Sequence, residues 1–341
     1  MGAPFEIDGS RGEGGGQVLR TGLALALATG RPLRVRNVRA GRPKPGLLRQ
    51  HLAALRAAAE ISGARMAGDE LGSDTVELAP GPVRAGDYRF AVGSAGSTTL
   101  VLQTVLLPLA LCGGSSRVRV EGGTHNRAAP PFEFLERSYV PILRRMGFDI
   151  EARLVRAGYE PAGGGEIEVR IGPAGPLRPL ELCERGEPGA RAAQVRIANL
   201  PARIAEDERD VLARLLEGPP EGIELVRDDA ALGPGNVVSL CARFGEVEHV
   251  FTSFGQVGVP ARRVAQRAVR QLRRFLVSDA AVDEHLADQL LLPIALGAGG
   301  RFKLAAPSSH TRTNLELLAD WGAAIGLDAE SGTIECAAWS G

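Results

Sequence analysis

The sequence repeats one layout of predicted elements three times, and this repetition constrains the fold more than any other feature. Each copy has a glycine-rich or capped start, a leucine-rich helix, a glycine, a short strand, a polar loop and a second amphipathic helix. The copies span residues 12–61, 93–146 and 284–321. We therefore predict an α/β (α+β) fold whose core consists of three repeated units, each with two helices and a small sheet.

Within each copy, a polar loop follows the first strand and precedes the second helix. The predicted helices are residues 18–29 and 46–61, 98–112 and 131–146, and 284–296 and 315–321; the strands between them are 33–38, 117–121 and 301–306. Equivalent loops of related units can converge on one cleft. The loop residues that we expect there are Arg39, Arg42 and Lys44, then His125, Asn126 and Arg127, and finally His310. A cleft lined by these side chains suits phosphate groups.

Residues 184–279 break this layout and are predicted to form an inserted domain. The pattern indicates strands at 193–197, 223–227, 237–243 and 247–253 and helices at 204–216 and 262–276. The predicted domains are 1–183 with the first two copies, 184–279 as the inserted α/β domain, and 280–341 with the third copy. The last helix of the insert carries six arginines, Arg262, Arg263, Arg267, Arg270, Arg273 and Arg274. Such a run contacts nucleic acid or forms a solvated face.

Composition argues against several classes of protein. A formal net charge of zero excludes a globally basic nucleic-acid coat but is compatible with a local basic cleft. The only lysines are Lys44 and Lys303, and the K-x-D-G signature of lysine-dependent nucleotidyl transferases is absent. Four scattered cysteines without a C-x-x-C pair indicate neither a zinc site nor a disulfide framework. The absence of a signal peptide or a bilayer-spanning run predicts a reduced, cytoplasmic protein without a membrane partner.

His310 is the best single candidate for a reactive side chain. It lies in the segment SSHTRTN, residues 308–314, between a strand-like run and a helix-like run. Ser308 or Ser309 can cap that helix, and Gly322 can end it. The positive end of the helix dipole disfavours imidazolium, which keeps the ring neutral and nucleophilic, and it attracts phosphate. The alternative is a surface histidine that merely precedes a helix.

Four further motifs supply binding groups. GEGGGQ at 12–17 offers backbone N–H groups to an anion and Glu13 to a metal ion, or it is a tight structural turn. Gln103 is a polar residue on an apolar helix, where it binds a nucleotide or a backbone group. Residues 39–51 gather basic side chains around a proline-broken loop, which suits phosphate or is a solvated patch. Residues 285–289 place His, Asp and Gln on the first turns of a helix, where acidic residues also favour the helix itself.

Taken together, seven motifs in one order make the sequence resemble the RNA 3′-terminal phosphate cyclase family. They are GEGGGQ, RAGRPKPGLLRQH, GSAGSTTLVLQT, GGTHN followed by APP, PAGGGE, HLADQLLLP and SHTRTN. Because they spread along nearly the whole chain, the combination is far more specific than any one motif. The resemblance implies three repeated units like the C-terminal domain of the third bacterial translation initiation factor, interrupted by a smaller inserted α/β domain.

The resemblance also implies an ATP-dependent enzyme that converts an RNA 3′-phosphate to a 2′,3′-cyclic phosphate. The Nε2 atom of His310 would attack the α-phosphate of ATP, giving histidinyl-AMP and pyrophosphate. The AMP would then pass to the RNA 3′-phosphate, and the adjacent 2′-OH would expel it. Mg²⁺ or Mn²⁺, with Glu13 nearby, would neutralise phosphate charge. ATP contacts would fall on Gln103, His285, Leu286, Ala287, Asp288 and Gln289, and a phosphate or RNA path on Arg20, Arg39, Arg42, Gln50 and His51.

Two other functions occur on related architectures. One branch related to the cyclases is a noncatalytic RNA-binding factor of ribosome assembly, but it lacks the reactive histidine that this chain carries in SHTRTN. Enolpyruvyl-type transferases use similar repeated units, but their need for lysine and arginine fits poorly with two lysines. Many cyclase relatives have tyrosine at the position of His285, so stacking on adenine would cover less area here. The implied partners are ATP and RNA with a 3′-phosphate, and a homodimer is compatible with the sequence.

Overall fold

The N-terminal part of the chain forms a four-stranded sheet covered by two helices. A computed structural model of the chain describes residues 3–216 and 222–339. The strand order is β1-β2-β4-β3, with the first pair parallel and the other two pairs antiparallel. The elements are β1 (Phe5–Asp8), α1 (Gly16–Thr29), β2 (Leu33–Arg36), α2 (Arg49–Ser62), β3 (Arg65–Ala67) and β4 (Val76–Ala79).

A second sheet follows with the order β5-β6-β8-β7 and again one parallel and two antiparallel pairs. Its elements are β5 (Asp87–Ala91), α3 (Thr98–Leu111), β6 (Ser116–Gly122), α4 (Phe132–Phe134), a π-helical turn (Leu135–Tyr139), α5 (Val140–Arg145), β7 (Ile150–Arg156) and β8 (Gly165–Ile171). The prediction of one regular helix at 131–146 is wrong. Pro141 lies at the start of α5 and has no N–H to donate to the preceding turn, so the regular hydrogen-bond pattern is interrupted there.

A separate α/β sheet then interrupts the chain. Strand β9 (Leu180–Leu182) precedes it. The sheet order is β11-β10-β12-β13, and its helices pack on a hydrophobic core of their own that includes Val195, Leu212, Val238 and Leu272. Each strand and helix predicted between 184 and 279 is present. The elements are β10 (Pro188–Ala198), α6 (Ala202–Leu215), β11 (Ile223–Arg227), β12 (Gly235–Phe244), β13 (Val247–Phe254) and α7 (Ala261–Val277).

The C-terminal part completes a third sheet around β9. Its order is β9-β14-β16-β15, with β9 parallel to β14 and the other pairs antiparallel. The prediction that the last helix starts at 315 is wrong, because Ser308 caps the helix and its first residue is Ser309, six residues earlier. The predicted strand 301–306 is also shorter and ends at Lys303. The elements are α8 (Glu284–Leu296), β14 (Gly300–Lys303), α9 (Ser309–Trp321), β15 (Ile325–Asp328) and β16 (Thr333–Cys336).

Three long helices lie at the centre of the molecule. Helices α1, α3 and α8 belong to the three sheets other than the inserted one. Each follows the outer strand of its sheet, which is β1, β5 or β9, and α1 packs against both α3 and α8. Their apolar residues, such as Leu23, Leu106 and Leu290, belong to one buried cluster. The connection from outer strand to helix is the short loop 9–15 in the first sheet and 92–97 in the second. In the third sheet the separate α/β sheet occupies that connection.

A buried ionic network joins the inserted sheet to the second sheet's helical segment. Arg196 of β10 places Nε 3.2 Å from Glu133 Oε1 and Nη1 2.7 Å from Asp228 Oδ1. His125 Nε2 lies 3.1 Å from the same Glu133 carboxylate, and Tyr159 donates its hydroxyl to Asp228. Burial alone would raise the pKa of Glu133, but His125 and Arg196 lower it to about 2. The joint is therefore charged and almost solvent-free.

Within the residues that the structure describes, no helix combines the length and apolar character needed to cross a bilayer.

Candidate functional site

A cleft of about 560 Å³ opens where α1, α8 and α9 meet the inserted sheet. Its wall includes side chains from all three repeated layouts and from the insert, so no single segment of the sequence forms it. The predicted site residues that line it are Glu13, Arg20, Arg39, Arg42, Gln50, His51, His285, Asp288, Gln289 and His310.

Some predicted residues do not reach this cleft. The side chains of Leu286 and Ala287 are fully buried in the hydrophobic core, since they lie on the inward face of α8. The expectation that Lys44, His125 and Asn126 line the cleft is wrong. The Lys44 side chain is exposed elsewhere, His125 pairs with Glu133 inside the protein, and Asn126 donates to the carbonyl oxygen of Ala95 at 2.6 Å.

His310 is the second residue of α9, so it lies inside the first helical turn. Its Nδ1 atom is buried without a hydrogen-bond partner and lies 3.8 Å from Glu13 Oε1, which is also buried and unpartnered. The side chain is 42% exposed. Because Nδ1 is buried, Nε2 is the ring nitrogen that faces the cleft. Gly322 ends the helix in a left-handed conformation with φ of 113°, as predicted.

Side chains from two other helices hold the start of α9 in place. The Ser308 hydroxyl accepts from the Thr311 N–H at 3.0 Å and donates to Asp288 Oδ1 at 2.8 Å. The Thr311 hydroxyl donates to the same carboxylate oxygen. Burial raises the pKa of Asp288 above its ordinary value. On the far side, Asn314 accepts from the Thr21 hydroxyl of α1 at 3.0 Å. The position of His310 therefore depends on both α8 and α1.

The glycine-rich loop before α1 brings Glu13 into the cleft. Gly14 has a φ of 56°, and a Cβ there would lie 2.8 Å from the Cα of Gly41. The Glu13 N–H donates to the Thr313 hydroxyl of α9 at 3.0 Å, and its carboxylate accepts from Arg42. The Glu13 side chain is only 3% exposed. The motif GEGGGQ is therefore a tight turn that also carries a buried carboxylate.

A polar chain crosses the three central helices beneath the cleft. Arg20 of α1 donates from Nε to Gln103 Oε1 of α3 at 3.2 Å, and the Gln103 amide donates to Gln289 of α8. Burial lowers the pKa of Arg20 to about 10, so the guanidinium remains charged at neutral pH. The partners of Gln103 are thus side chains. The sequence analysis had considered a nucleotide or a backbone group as its partner. This chain links the helices and leaves a partly buried positive charge in the wall of the cleft.

The remaining basic loop residues are partly committed to local contacts. Arg39 has a φ of 56° and donates to the carbonyl oxygens of Lys44 and Gly46, which holds its own loop closed. Burial, together with Arg20 and Arg39, lowers the pKa of His51 to about 3. Its Nδ1 accepts from the Leu48 N–H at 3.3 Å. His51 is therefore a neutral group, whereas the side chain of Arg42 is 41% exposed and available to an anion.

Arg127 lines the cleft, as its loop position predicts. Several other lining residues were not singled out: next to Arg127, Pro130, Pro131 and Phe134 form an apolar wall. The motif APP was visible in the sequence, but nothing in it indicated a wall. The insert contributes four residues that no sequence pattern pointed to: Val250, Thr252, Phe254 and Gln271.

Glu13 is a candidate ligand for a divalent cation in this cleft. Among the described residues, no group of three His, Cys, Asp or Glu side chains is arranged to hold a metal ion. Glu13 Oε1 is nevertheless a buried carboxylate oxygen without a partner. Magnesium at phosphate sites commonly takes one or two carboxylates, with phosphate oxygens and water as the remaining ligands. Glu13 fits that pattern.

The cleft has the chemistry of a phosphate-binding enzyme site. Arginines surround a buried carboxylate and an accessible imidazole nitrogen at a helix start, on a scaffold of small mixed sheets. Comparison with known protein families gives the same class. A family model described as RNA 3′-terminal phosphate cyclase matches residues 11–324.

Curated relatives named RNA 3′-terminal phosphate cyclase cover most of the chain. The protein from Ectopseudomonas mendocina (strain ymp) is 48% identical over 92% of this chain and 91% of its own length. That from Koribacter versatilis (strain Ellin345) is 48% identical over 92% and 88%, and that from Salmonella typhimurium (strain LT2) is 47% identical over 92% and 91%. The chain therefore belongs to the RNA 3′-terminal phosphate cyclase family.

The structural comparison is much weaker. The enolpyruvyl transferase NikO from Streptomyces tendae aligns with 97% of this chain and 48% of its own, with a TM-score of 0.40 and 13% identity. A similarity at this level supports no inference about function.

Proposed function

We propose that this protein is an RNA 3′-terminal phosphate cyclase that consumes ATP and converts an RNA 3′-phosphate to a 2′,3′-cyclic phosphate, releasing AMP and pyrophosphate. The observation that carries this proposal is the accessible Nε2 of His310 at the start of α9, inside an arginine-lined cleft, in a chain of this family. A buried or fully hydrogen-bonded His310 would have argued against it.

In the first step the Nε2 lone pair of His310 attacks the α-phosphorus of ATP. The N–P bond forms, the bond to the bridging oxygen breaks, and pyrophosphate leaves. The attacking nitrogen must carry a free lone pair at the start. As the ring becomes cationic, the Nδ1 proton faces the Glu13 carboxylate, 3.8 Å away. A nearby carboxylate stabilises the imidazolium that forms.

In the second and third steps the adenylyl group moves to RNA and is then expelled. An oxygen of the RNA 3′-phosphate attacks the phosphorus of histidinyl-AMP, and the N–P bond breaks. The 2′-OH then attacks the terminal RNA phosphorus, loses its proton and displaces AMP, which closes the cyclic phosphate. Arg42 and the partly buried Arg20 supply positive charge for these phosphates.

We assign the nucleotide to the part of the cleft formed by α8 and the apolar wall. His285 is exposed at the start of α8 and faces the same cavity as Pro131 and Phe134, so a purine can lie between them. The polar side chains assigned to ATP are Gln103, His285, Asp288 and Gln289; Leu286 and Ala287 contribute backbone only. The phosphate and RNA path runs along Arg20, Arg39, Arg42, Gln50 and His51.

We assign Mg²⁺ or Mn²⁺ to Glu13, whose unpartnered Oε1 is the protein ligand that fits. When bound, such an ion withdraws charge from phosphate oxygens and assists departure of pyrophosphate.

We propose that the three sheets with equal strand order are copies of one unit, that the domains are 1–183, 184–279 and 280–341, and that the protein acts in the cytoplasm. The matching parallel and antiparallel pairs and the separate core of the insert support the first two statements. The cytoplasmic location and the homodimer stay predictions.

Incubation with ATP labelled at the α-phosphate and a divalent metal, without RNA, tests the first step. We expect an acid-labile, alkali-stable label on the protein, as a phosphoramidate requires, and no label on His310→Asn. His249→Asn, a buried histidine outside the cleft, is the control. An unlabelled wild type, or equal labelling of His310→Asn, contradicts the mechanism. Labelling without cyclisation of a 3′-phosphorylated RNA contradicts the substrate assignment alone.

A further inference from the structure

A second, open groove of about 430 Å³ lies on the inserted sheet beside the cleft. The two depressions share Arg127, Thr252, Phe254 and Gln271 in their walls, so one runs into the other. The Gln271 amide donates to the Thr252 carbonyl oxygen at 2.8 Å, which fixes helix α7 against strand β13 at this junction. A chain that enters the cleft can therefore continue along the groove.

Three arginines of α7 form one side of the groove. Arg267, Arg270 and Arg274 follow the spacing i, i+3 and i+7, which places them on one helix face. The opposite face, including Val264 and Ala268, is buried in the core of the insert. The arginine row is roughly 10 Å long, from the rise of an α-helix. This length suits a short run of backbone phosphates.

The positive charge of this row is largely uncompensated. Neither Arg267 nor Arg270 has an ion pair or a side-chain hydrogen bond among the described residues. Within the part of the chain that the structure describes, Arg274 pairs only with Glu284, at 3.8 Å, and the Arg274 side chain is 77% exposed. Five other arginines of the insert, Arg196, Arg203, Arg209, Arg227 and Arg243, have carboxylate partners, and the whole chain has a formal net charge of zero. A local row of free guanidinium groups indicates an anionic partner.

The position of the insert in the chain also places it next to the cleft. It occupies the connection between β9 and α8, and the corresponding connections of the other two sheets are the loops 9–15 and 92–97. The first of these carries Glu13, a cleft residue, and the second contacts Gln50 through the Ser97 N–H at 3.2 Å. The insert thus lies at a position whose counterparts lie at or beside the cleft.

We propose that this groove binds the single-stranded RNA segment immediately 5′ of the terminal phosphate. Arg267 and Arg270 contact backbone phosphates, and Phe254, half-buried at the junction, stacks on a base. The inference rests on the proposed cyclase function and assigns a role to the inserted domain. It predicts that short RNA ends, which do not reach the groove, are bound less tightly than longer ones.

The test compares two RNAs with the same 3′-phosphorylated end, of roughly 2 and 12 nucleotides. Arg267→Gln/Arg270→Gln raises KM for the longer RNA roughly 25-fold at about 0.1 M salt, from two lost phosphate contacts, and makes its salt dependence shallower. KM for the shorter RNA, kcat and self-adenylylation stay unchanged. Arg267→Lys/Arg270→Lys retains most of the affinity. Arg262→Gln/Arg263→Gln, which removes equal charge from the same helix outside the groove, is the matched control.

The outcomes separate the two proposals. If the wild type cyclises both RNAs and the two glutamine variants raise KM for the longer one equally, general electrostatics explains the effect and the groove assignment is overturned. An unchanged KM in Arg267→Gln/Arg270→Gln overturns it as well and leaves the groove to another partner. A wild type that adenylylates itself but cyclises neither RNA overturns the proposed function and this inference together.

Discussion

At the scale of single residues, the cleft is marked by polar atoms that the protein leaves unpaired. Buried polar atoms in folded proteins nearly always have a hydrogen-bond partner. Glu13 Oε1 and His310 Nδ1 are both buried and both lack one, although they lie 3.8 Å apart. Because both atoms lack a hydrogen-bond partner, a ligand or a cation that binds next to them would satisfy them.

Glu13→Gln is expected to slow self-adenylylation about 100-fold, because the amide neither stabilises an imidazolium nor binds a divalent ion as a carboxylate does. The metal concentration for half-maximal labelling also rises. Labelling rates measured across a manganese titration test this. Glu316→Gln, an exposed glutamate of α9, is the control and keeps the wild-type rate. Equal rates for both variants contradict the role assigned to Glu13.

His51 makes the stability of the protein depend on pH. Its pKa is about 3 in the folded state and about 6.5 when unfolded, so the unfolded chain binds the proton first. Its stabilising contribution is complete above pH 6.5 and is lost as the pH falls toward 3. Between pH 7 and pH 5 the wild type loses about 2 kcal/mol more than His51→Gln. Urea unfolding of both proteins at the two pH values measures this, and parallel losses contradict it.

At the scale of elements, the start of α9 decides where His310 lies. One serine accepts a backbone N–H and donates to Asp288, so the helix cap and the contact with α8 depend on the same hydroxyl. The side chain of the next serine, Ser309, makes no comparable contact and is exposed. The sequence motif offered both serines as caps, and side-chain contacts between α8 and α9 select Ser308.

Ser308→Ala is expected to lower the free energy of unfolding by about 1 to 2 kcal/mol, because it removes the cap and leaves the buried Asp288 with one partner fewer. Self-adenylylation slows as well, since the first turn of α9 loses its anchor. Ser309→Ala changes both quantities little. Urea unfolding and labelling rates on the two variants measure the effects; equal values for both would show that Ser308 does not position the helix.

How far the elements could be predicted depends on whether local sequence decides them. The leucine-rich α1 and the start of α8 at Glu284 follow from periodicity and caps, and both were predicted at or within two residues of their observed starts. The π-helical turn was missed, because it reflects Pro141 within an otherwise regular pattern. His125 was placed in the cleft wrongly, since its loop position gave no sign of the buried partner Glu133. Such long-range pairs leave no local signature.

At the scale of the whole molecule, the site depends on contacts among parts that are distant in sequence. Arg20, Gln103 and Gln289 come from three helices and form one polar chain. Motifs pointed to Gln103 and Gln289, and the family resemblance implied Arg20, but no sequence pattern could predict that the three bind one another. That Phe254 and Gln271 of the insert line the cleft could not be predicted either, because it depends on how the insert packs against the other sheets.

Arg196→Ala is expected to destabilise the protein by about 3 to 5 kcal/mol, since it leaves Glu133 and Asp228 buried without their cation. Arg301→Ala removes an exposed pair with Glu181 and costs less than about 1 kcal/mol. Urea unfolding of the two variants makes the comparison. Similar losses would indicate that the network at the joint of the insert contributes no more than a surface ion pair.

The point at which the insert enters the chain bears on how this protein can change over evolutionary time. The insert replaces one loop between β9 and α8 and has its own core. It can therefore be lengthened, remodelled or exchanged without changing the strand pairing of the other three sheets. The residues around His310 that come from the other three sheets would remain as they are, whereas a new insert would have to supply its own counterparts of Arg196, Phe254 and Gln271. A lineage can therefore alter which RNA ends it accepts by changing one module, while the adenylating machinery is inherited intact.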